Sequence, residues 1–270
     1  MKGHSITLIV FRERDELSWI SAVPSDFHIV IYNRGGFLQD IDLLRRATVI
    51  PLPEGEGGKA GSYLSHLLAH GDSGTEWTIF ASDNPLDHSP EFVGLLPQQT
   101  LWSQIQPLSF HPFPGTPGIP SEVPVRDRRN QLGINPIRKE TFSLYSLNTS
   151  RYLDSESSHV LERYSRIYGI GRETNLASHF LDQAGLTEQA AHASKCDLGS
   201  YARGSLFAVH RSRISAVPRR TLEKLHALLL ENEDLYNQLL ERFWLHLFGE
   251  QFIKLLPSSS VGVRRPLEAT

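Results

Sequence analysis

The sequence predicts an α/β fold: a doubly wound, Rossmann-like mixed sheet with helices on both faces, closed by a C-terminal helical layer. Three observations carry that prediction. Short apolar runs alternate with a 3.6-period stripe in the first third of the chain, a strand-like SLFAV returns at 205–209, and two long apolar stripes fill 218–249.

Four β-like runs open the chain: Ile6 to Phe11, Phe27 to Tyr32, Ala47 to Leu52 and Trp77 to Ala81, each ending in a turn or in charge. Ile6 to Phe11 is too short for a signal-peptide core and reads as the first strand. Between the third and fourth runs, Ala60, Tyr63, Leu64, Leu67 and Leu68 follow the spacing of one buried helical face, with Gly71 as the stop. Ligands of doubly wound sheets lie beyond the carboxyl ends of the strands, so the loops after Phe11, Tyr32 and Ala81 are where a site is expected.

From Pro97 to Pro136 repeated X-Pro pairs disfavour helix and central strand, and the segment reads as a long ordered loop whose Trp102, Phe110 and Phe113 want burial. It is expected to lie inside one domain spanning 1–256, with a frayed tail at 257–270. Helical patterning returns at Tyr152 to Tyr168 and Asn175 to Ala184. Pro218 then opens a helix striped by Leu222, Leu225, Leu228 and Leu229. A second stripe runs through Leu239, Leu240, Phe243, Trp244, Leu247 and Phe248 to a Gly249 cap.

Composition narrows the function classes. The chain has 270 residues, 40% of them hydrophobic, which is enough to bury a substantial core. A net charge of -3 provides no basic field for nucleic acid or an anionic membrane surface. The single cysteine, Cys196, excludes an intrachain disulfide and a Cys-rich zinc site and fits a reducing compartment, so a cytoplasmic location is expected. No window approaches the roughly 20 apolar residues of a membrane span.

Two segments carry candidate chemistry. In FASDNPLDH, residues 80–88, an apolar strand runs into two carboxylates and an imidazole within a proline-stiffened turn. Asp83 and Asp87 could hold a Mg²⁺ or Mn²⁺ ion whose shell is completed by substrate phosphates. Equally, Asp83 and Asn84 could form an Asx turn while Asp87 caps a helix at Ser89 to Val93. In EGEGGKAGSYLSHL, the glycines Gly55, Gly57 and Gly58 precede a helix whose N-terminal amides could receive phosphate beside Lys59; the alternative is a solvated turn. Pro53 and Ala60 stand where a Walker A loop needs glycine and Ser or Thr. His66 and His70 have metal-ligand spacing without an HExxH and read as packing or surface residues. GIGRET lacks the third glycine of a dinucleotide fingerprint, and no GxSxG elbow supports a hydrolase triad.

Taken together, these segments resemble a family of uncharacterised proteins, a domain of unknown function placed by fold similarity among GT-A glycosyltransferases. Its R-Y-N-E-D-L-x-W-L is similar to Arg12 through Leu17, Trp19 and Ile20, with Asp15 where the family has Glu. Its I-Y-N-K-G is similar to Ile31 through Gly35, and its F-L-Q-G-D-P-F-D-H to Phe80 through His88. Gly55 through Leu67, Gly204 to Ile214 and Glu241 to Gly249 match further motifs in the same order, while the middle third carries none. Gly55, Gly58 and Lys59 replace the family's Asn, Arg and Glu, and Asp83-Asn84 replaces its Gly-Asp.

The resemblance implies a GT-A-like enzyme that moves a sugar from a nucleotide-diphosphate donor to an acceptor. Asp83 and Asp87 would hold a divalent cation, Tyr32 and Asn33 would face the base or ribose, and Lys59 with the Gly57 and Gly58 amides would meet the phosphates. Arg12, Asn84 and His88 complete the implied donor site. Glu241 is the candidate acceptor base, or else a salt-bridge partner of Arg242 that locks the terminal helix. Two other readings stay open: a catalytically degenerate carbohydrate- or partner-binding module, and a nucleotide-sugar hydrolase.

Overall fold

A computed structural model describes residues 5–14, 16–71, 74–109, 139–149, 155–171 and 173–255. Asp15, Phe110, Phe113, the rest of 110–138 and the tail from 256 lie outside the described residues.

Six strands form the main sheet: β1 (Ile6–Arg12), β2 (His28–Asn33), β3 (Ala47–Pro51), β4 (Trp77–Ser82), β5 (Ile105–Pro107) and β8 (Phe207–His210). Their order is β3-β2-β1-β4-β8-β5. The first four are parallel, with Ile9 opposite both Val30 and Phe80, and β8 runs antiparallel to β4 and β5. A second, two-stranded sheet pairs β6 (Glu140–Ser143) with β7 (Leu198–Tyr201). The coarse expectation of an α/β protein with a mixed, Rossmann-like sheet is met.

Alternation along the strands sorts side chains onto two faces. On one face Ile9, Val30, Tyr32, Phe80 and Phe207 pack under α2 (Gly58–His70), α8 (Arg219–Glu231) and α9 (Glu233–Leu247). Tyr63 is the centre of this layer, its ring 4.8 Å from Phe80 and 5.7 Å from Trp244. On the other face Leu8, Val10, Ile29, Ile31 and Ile79 meet Trp19, Ile20, Phe92 and Trp102, together with Leu43 of α1 (Ile41–Arg46). Burial on this scale, about 1.5–3 kcal/mol per large apolar side chain, holds strands and helices in register.

The remaining helices are α3 (Phe92–Leu95), α4 (Ser155–Tyr168), α5 (Leu176–Gln183), α6 (Thr187–Ala193) and α7 (Arg211–Ile214). Side chains fix several starts: Asn175 accepts from Ser178 N to open α5, and Asn232 accepts from Leu235 N to open α9. Gly249 follows α9 at φ 99°, a conformation suited to glycine. The expectation for the proline-rich segment needs one correction. Its described part holds an edge strand, β5, where Pro107 is tolerated because an outer strand can spare an N–H, and Trp102 is buried edge-on against Trp77 at 5.3 Å. No helix among the described residues is long and apolar enough to cross a membrane.

Candidate functional site

The strand order reverses at β1, whose neighbours β2 and β4 continue in opposite directions. At the carboxyl ends of these three strands opens a cleft of about 610 Å³, lined by Glu13, Arg34 and Asp83 from the strand side and by Lys59, Arg163 and Glu233 from the helices. A crevice at such a reversal is the usual ligand position in open α/β sheets.

Asp83 locks the strand side. Its Oδ2 accepts from the amides of Glu13 and Arg14 at 3.0 and 3.1 Å, its Oδ1 from Asn84 N at 3.1 Å, and its carbonyl oxygen from the Trp19 indole at 2.7 Å. The loops after β1 and β4 are thereby tied together. Asn84 Nδ2 donates to Asp87 Oδ2 at 2.8 Å across the turn Pro85–Asp87. Asp87 caps no helix, since α3 starts only at Phe92.

On the helix side, Gly57 and Gly58 have φ of 83° and 57° and open α2. A side chain would not fit: a Cβ on Gly57 would stand 2.6 Å from Leu229 Cδ2, and one on Gly58 2.8 Å from Glu233 Oε1. Asn237 of α9 supplies the cap that the glycines lack, accepting from Ala60 N at 2.8 Å and donating to Gly57 O at 3.0 Å.

Lys59 lines the cleft, and its Nζ donates to Gly204 O at 3.2 Å and lies 3.7 Å from Glu241 Oε2. Glu241 does not line the cleft. Its Oε1 accepts from Gly204 N at 3.2 Å and lies 3.6 Å from Arg242 Nη1. Burial alone would raise its carboxyl pKa, but Lys59, Arg242 and the Gly204 amide outweigh it and the pKa falls below the ordinary value. The turn Arg203–Ser205 is strained, with Gly204 at φ 67° and Ser205 at φ 58°, and a non-glycine residue held there costs about 1–3 kcal/mol. The His88 ring fills the space beside Gly204, where a Cβ would come within 2.2 Å of it. The pKa of His88 is lowered by burial, with Arg203 and Lys59 adding to the effect and Glu241 and Asp87 opposing it.

The other predicted residues divide. Tyr32 is buried, its hydroxyl 3.3 Å from His66 Nδ1 and its pKa pushed up to about 12 by burial, so it faces the core under α2 and does not line the cleft. Arg12 and Asn33 bind each other at 2.8 Å, and both hold Gly36 O, shaping the loop after β2. His66 is a packing residue, its pKa lowered to about 3 chiefly by burial. The structure therefore brings Gly58, Lys59, Asp83, Asn84, Asp87 and His88 together around the cleft and turns Tyr32, Asn33 and Glu241 away from it. Arg34, Arg163, Glu233 and Asn237 join the lining without having been foreseen. Arg34 lies in the loop after Tyr32, one of the three loops where a site was expected, a signal that could have found it. It pairs with Glu233 at 2.6 Å and lies over Phe11, and its buried Nε has no hydrogen-bond partner.

Among the described residues, five carboxylates, those of Glu13, Asp83, Asp87, Glu233 and Asp234, face the basic side chains of Arg34, Lys59 and Arg163 in this cleft. Among the described residues no three His, Cys, Asp or Glu side chains converge as a metal site. The chain matches no protein-family model, no curated protein and no solved structure.

Proposed function

We propose that the protein is a GT-A-like glycosyltransferase that moves a sugar from a nucleotide-diphosphate donor to an acceptor with the help of a divalent cation. One observation carries this reading: the cleft at the strand-order reversal sets the glycine-rich start of α2 and Lys59 opposite the carboxylate turn Asp83 to Asp87. Helix amides and an ammonium suit a diphosphate, and the carboxylates suit a cation.

The donor set fits a hard cation held by few protein ligands. Asp83 already receives three backbone amides, so it orients the turn, and Asp87, steadied by Asn84, is the residue that would hold Mg²⁺ or Mn²⁺ with substrate phosphates completing the shell. Bound there, the cation would supply charge neutralisation for the leaving diphosphate. An anionic donor entering a cleft with more carboxylates than cations calls for that added positive charge. The chain's own contribution is positional: Gly58 leaves the floor open, Lys59 meets the phosphates, and Arg34 and Arg163 screen the rim.

The test is thermal unfolding with a panel of nucleoside diphosphates and their sugars, with and without Mn²⁺, on the native chain and on Asp87→Asn. The expected result is a rise in midpoint of several degrees that needs nucleotide and metal together and disappears in Asp87→Asn. No rise with any nucleotide, from a cooperatively folded protein, would overturn the proposal. Binding without any release of nucleoside diphosphate would favour the degenerate binding module.

A further inference from the structure

Three groups meet at one backbone unit. Gly204 donates its N–H to Glu241 at 3.2 Å, its carbonyl accepts from Lys59 Nζ at 3.2 Å, and its missing side chain makes room for the His88 ring. Lys59 and His88 line the cleft, whereas Glu241 sits behind them on α9. Glu241 thus touches the cleft through Gly204 and Lys59, and its second oxygen, 3.7 Å from Lys59 Nζ, completes the triangle.

We propose that Glu241 and Gly204 are positioning residues that fix the Lys59 ammonium at the cleft floor, where it receives the diphosphate of an anionic ligand. This rests on the donor-binding reading above and replaces the role of acceptor base expected for Glu241. A base must reach its proton, and both Glu241 oxygens are engaged with Gly204, Arg242 and Lys59. A free lysine side chain loses much rotamer freedom when it binds a ligand, while one already held by a carbonyl and a carboxylate does not. Two of its contacts leave the ammonium a third donor for phosphate. The left-handed backbone at Gly204 and Ser205, strained at Ser205, agrees with this, because that turn is what aims the Gly204 N–H and carbonyl at two different helices.

A double-mutant cycle tests the assignment, with binding of inorganic pyrophosphate and of uridine and guanosine diphosphates measured by calorimetry in Mg²⁺ buffer. Lys59→Met is expected to weaken binding at least tenfold, and Glu241→Gln and Gly204→Ala three- to tenfold each. Combining either with Lys59→Met should weaken it no further than Lys59→Met alone. Gly204→Ala changes no charge but its Cβ meets the His88 ring, so it is compared with His88→Ala alone and made in that background as well; the loss that persists there separates positioning from electrostatics and serves if Glu241→Gln fails to fold. Additive effects, unchanged binding in both variants, or tighter binding in Glu241→Gln with unchanged binding in Gly204→Ala would overturn the positioning role while leaving the donor site intact. No binding of any diphosphate by the native chain would overturn the donor reading, and this one with it.

Discussion

The cleft and the region behind α9 treat polar groups in opposite ways. In the cleft they stay charged through pairing: Arg34 with Glu233, Lys59 with Glu241, and Asp83 with three amides. Behind α9, where β6, β7 and α5 pack, His246 instead stays neutral through burial. His246 is fully enclosed, accepts from Ser200 N through Nε2 at 2.9 Å, meets Glu250 O through Nδ1 at 2.9 Å and stacks on Phe252 at 3.9 Å. Those partners fix its neutral tautomer, with the hydrogen on Nδ1. The contrast separates groups kept for ligands, which must respond to anions and salt, from groups kept for structure, which respond to pH.

The largest effect that would break this contrast is acid destabilisation through His246. Burial pulls its pKa down to about 4 from the ordinary 6.5, so between those values the unfolded chain binds a proton that the folded chain refuses. Its stabilising contribution is complete above pH 6.5 and is lost as the pH falls towards 4. At about 1.4 kcal/mol per pKa unit the loss is roughly 3 kcal/mol. His66, lowered to about 3, acts in the same direction. Urea unfolding at pH 7.5 and 4.5 should show this drop, and His246→Gln should show a smaller one. Equal drops would mean that burial of this imidazole does not govern the acid response.

On the cleft side, Asp83→Ala should remove about 2–3 kcal/mol, because three backbone amides lose a charged acceptor. Asp83→Asn, which keeps one acceptor oxygen, should cost about half of that. A result within 0.5 kcal/mol of the native protein for Asp83→Ala would show that the latch between the two loops is not a stabilising element, and Asp83 would return as a candidate metal ligand.

The strands were legible because a buried parallel strand writes itself as a short unbroken apolar run. Phe27 to Tyr32 and Trp77 to Ala81 fall within one residue of β2 and β4. The short β6 and β7 were not, since four-residue strands such as LGSY carry too little pattern to separate from a turn. Within the site, FASDNPLDH and the glycine loop announced themselves through local chemistry. The tie that Asp83 makes between the loops after β1 and β4 did not, because Glu13 and Arg14 contribute backbone amides, which no sequence displays. Asn237 was invisible for another reason: a helix-interior asparagine gives no hint that it caps a second helix 180 positions away. Tyr32 was misplaced by strand parity, for the residue before a strand's end points into the core as readily as into the cleft.

The smallest expected effect sharpens the comparison between charges held inside and outside the cleft. Arg166 and Glu162 on α4 approach to 2.7 Å, a full ångström closer than Lys59 and Glu241, yet their side chains are 75% and 67% exposed against 24% and 26%. In water the shorter pair gains little, because solvent screens the attraction and two long side chains lose freedom to form it. Arg166→Ala should therefore change stability by less than about 0.5 kcal/mol, falling further in high salt. Lys59→Met leaves Glu241 half-buried with Arg242 still beside it, and should cost about 1–2 kcal/mol. Parallel urea titrations of the two variants decide the matter. If Arg166→Ala were the more damaging, separation rather than enclosure would set the worth of an ion pair in this protein, and the cleft lysine would be held too loosely to position a ligand.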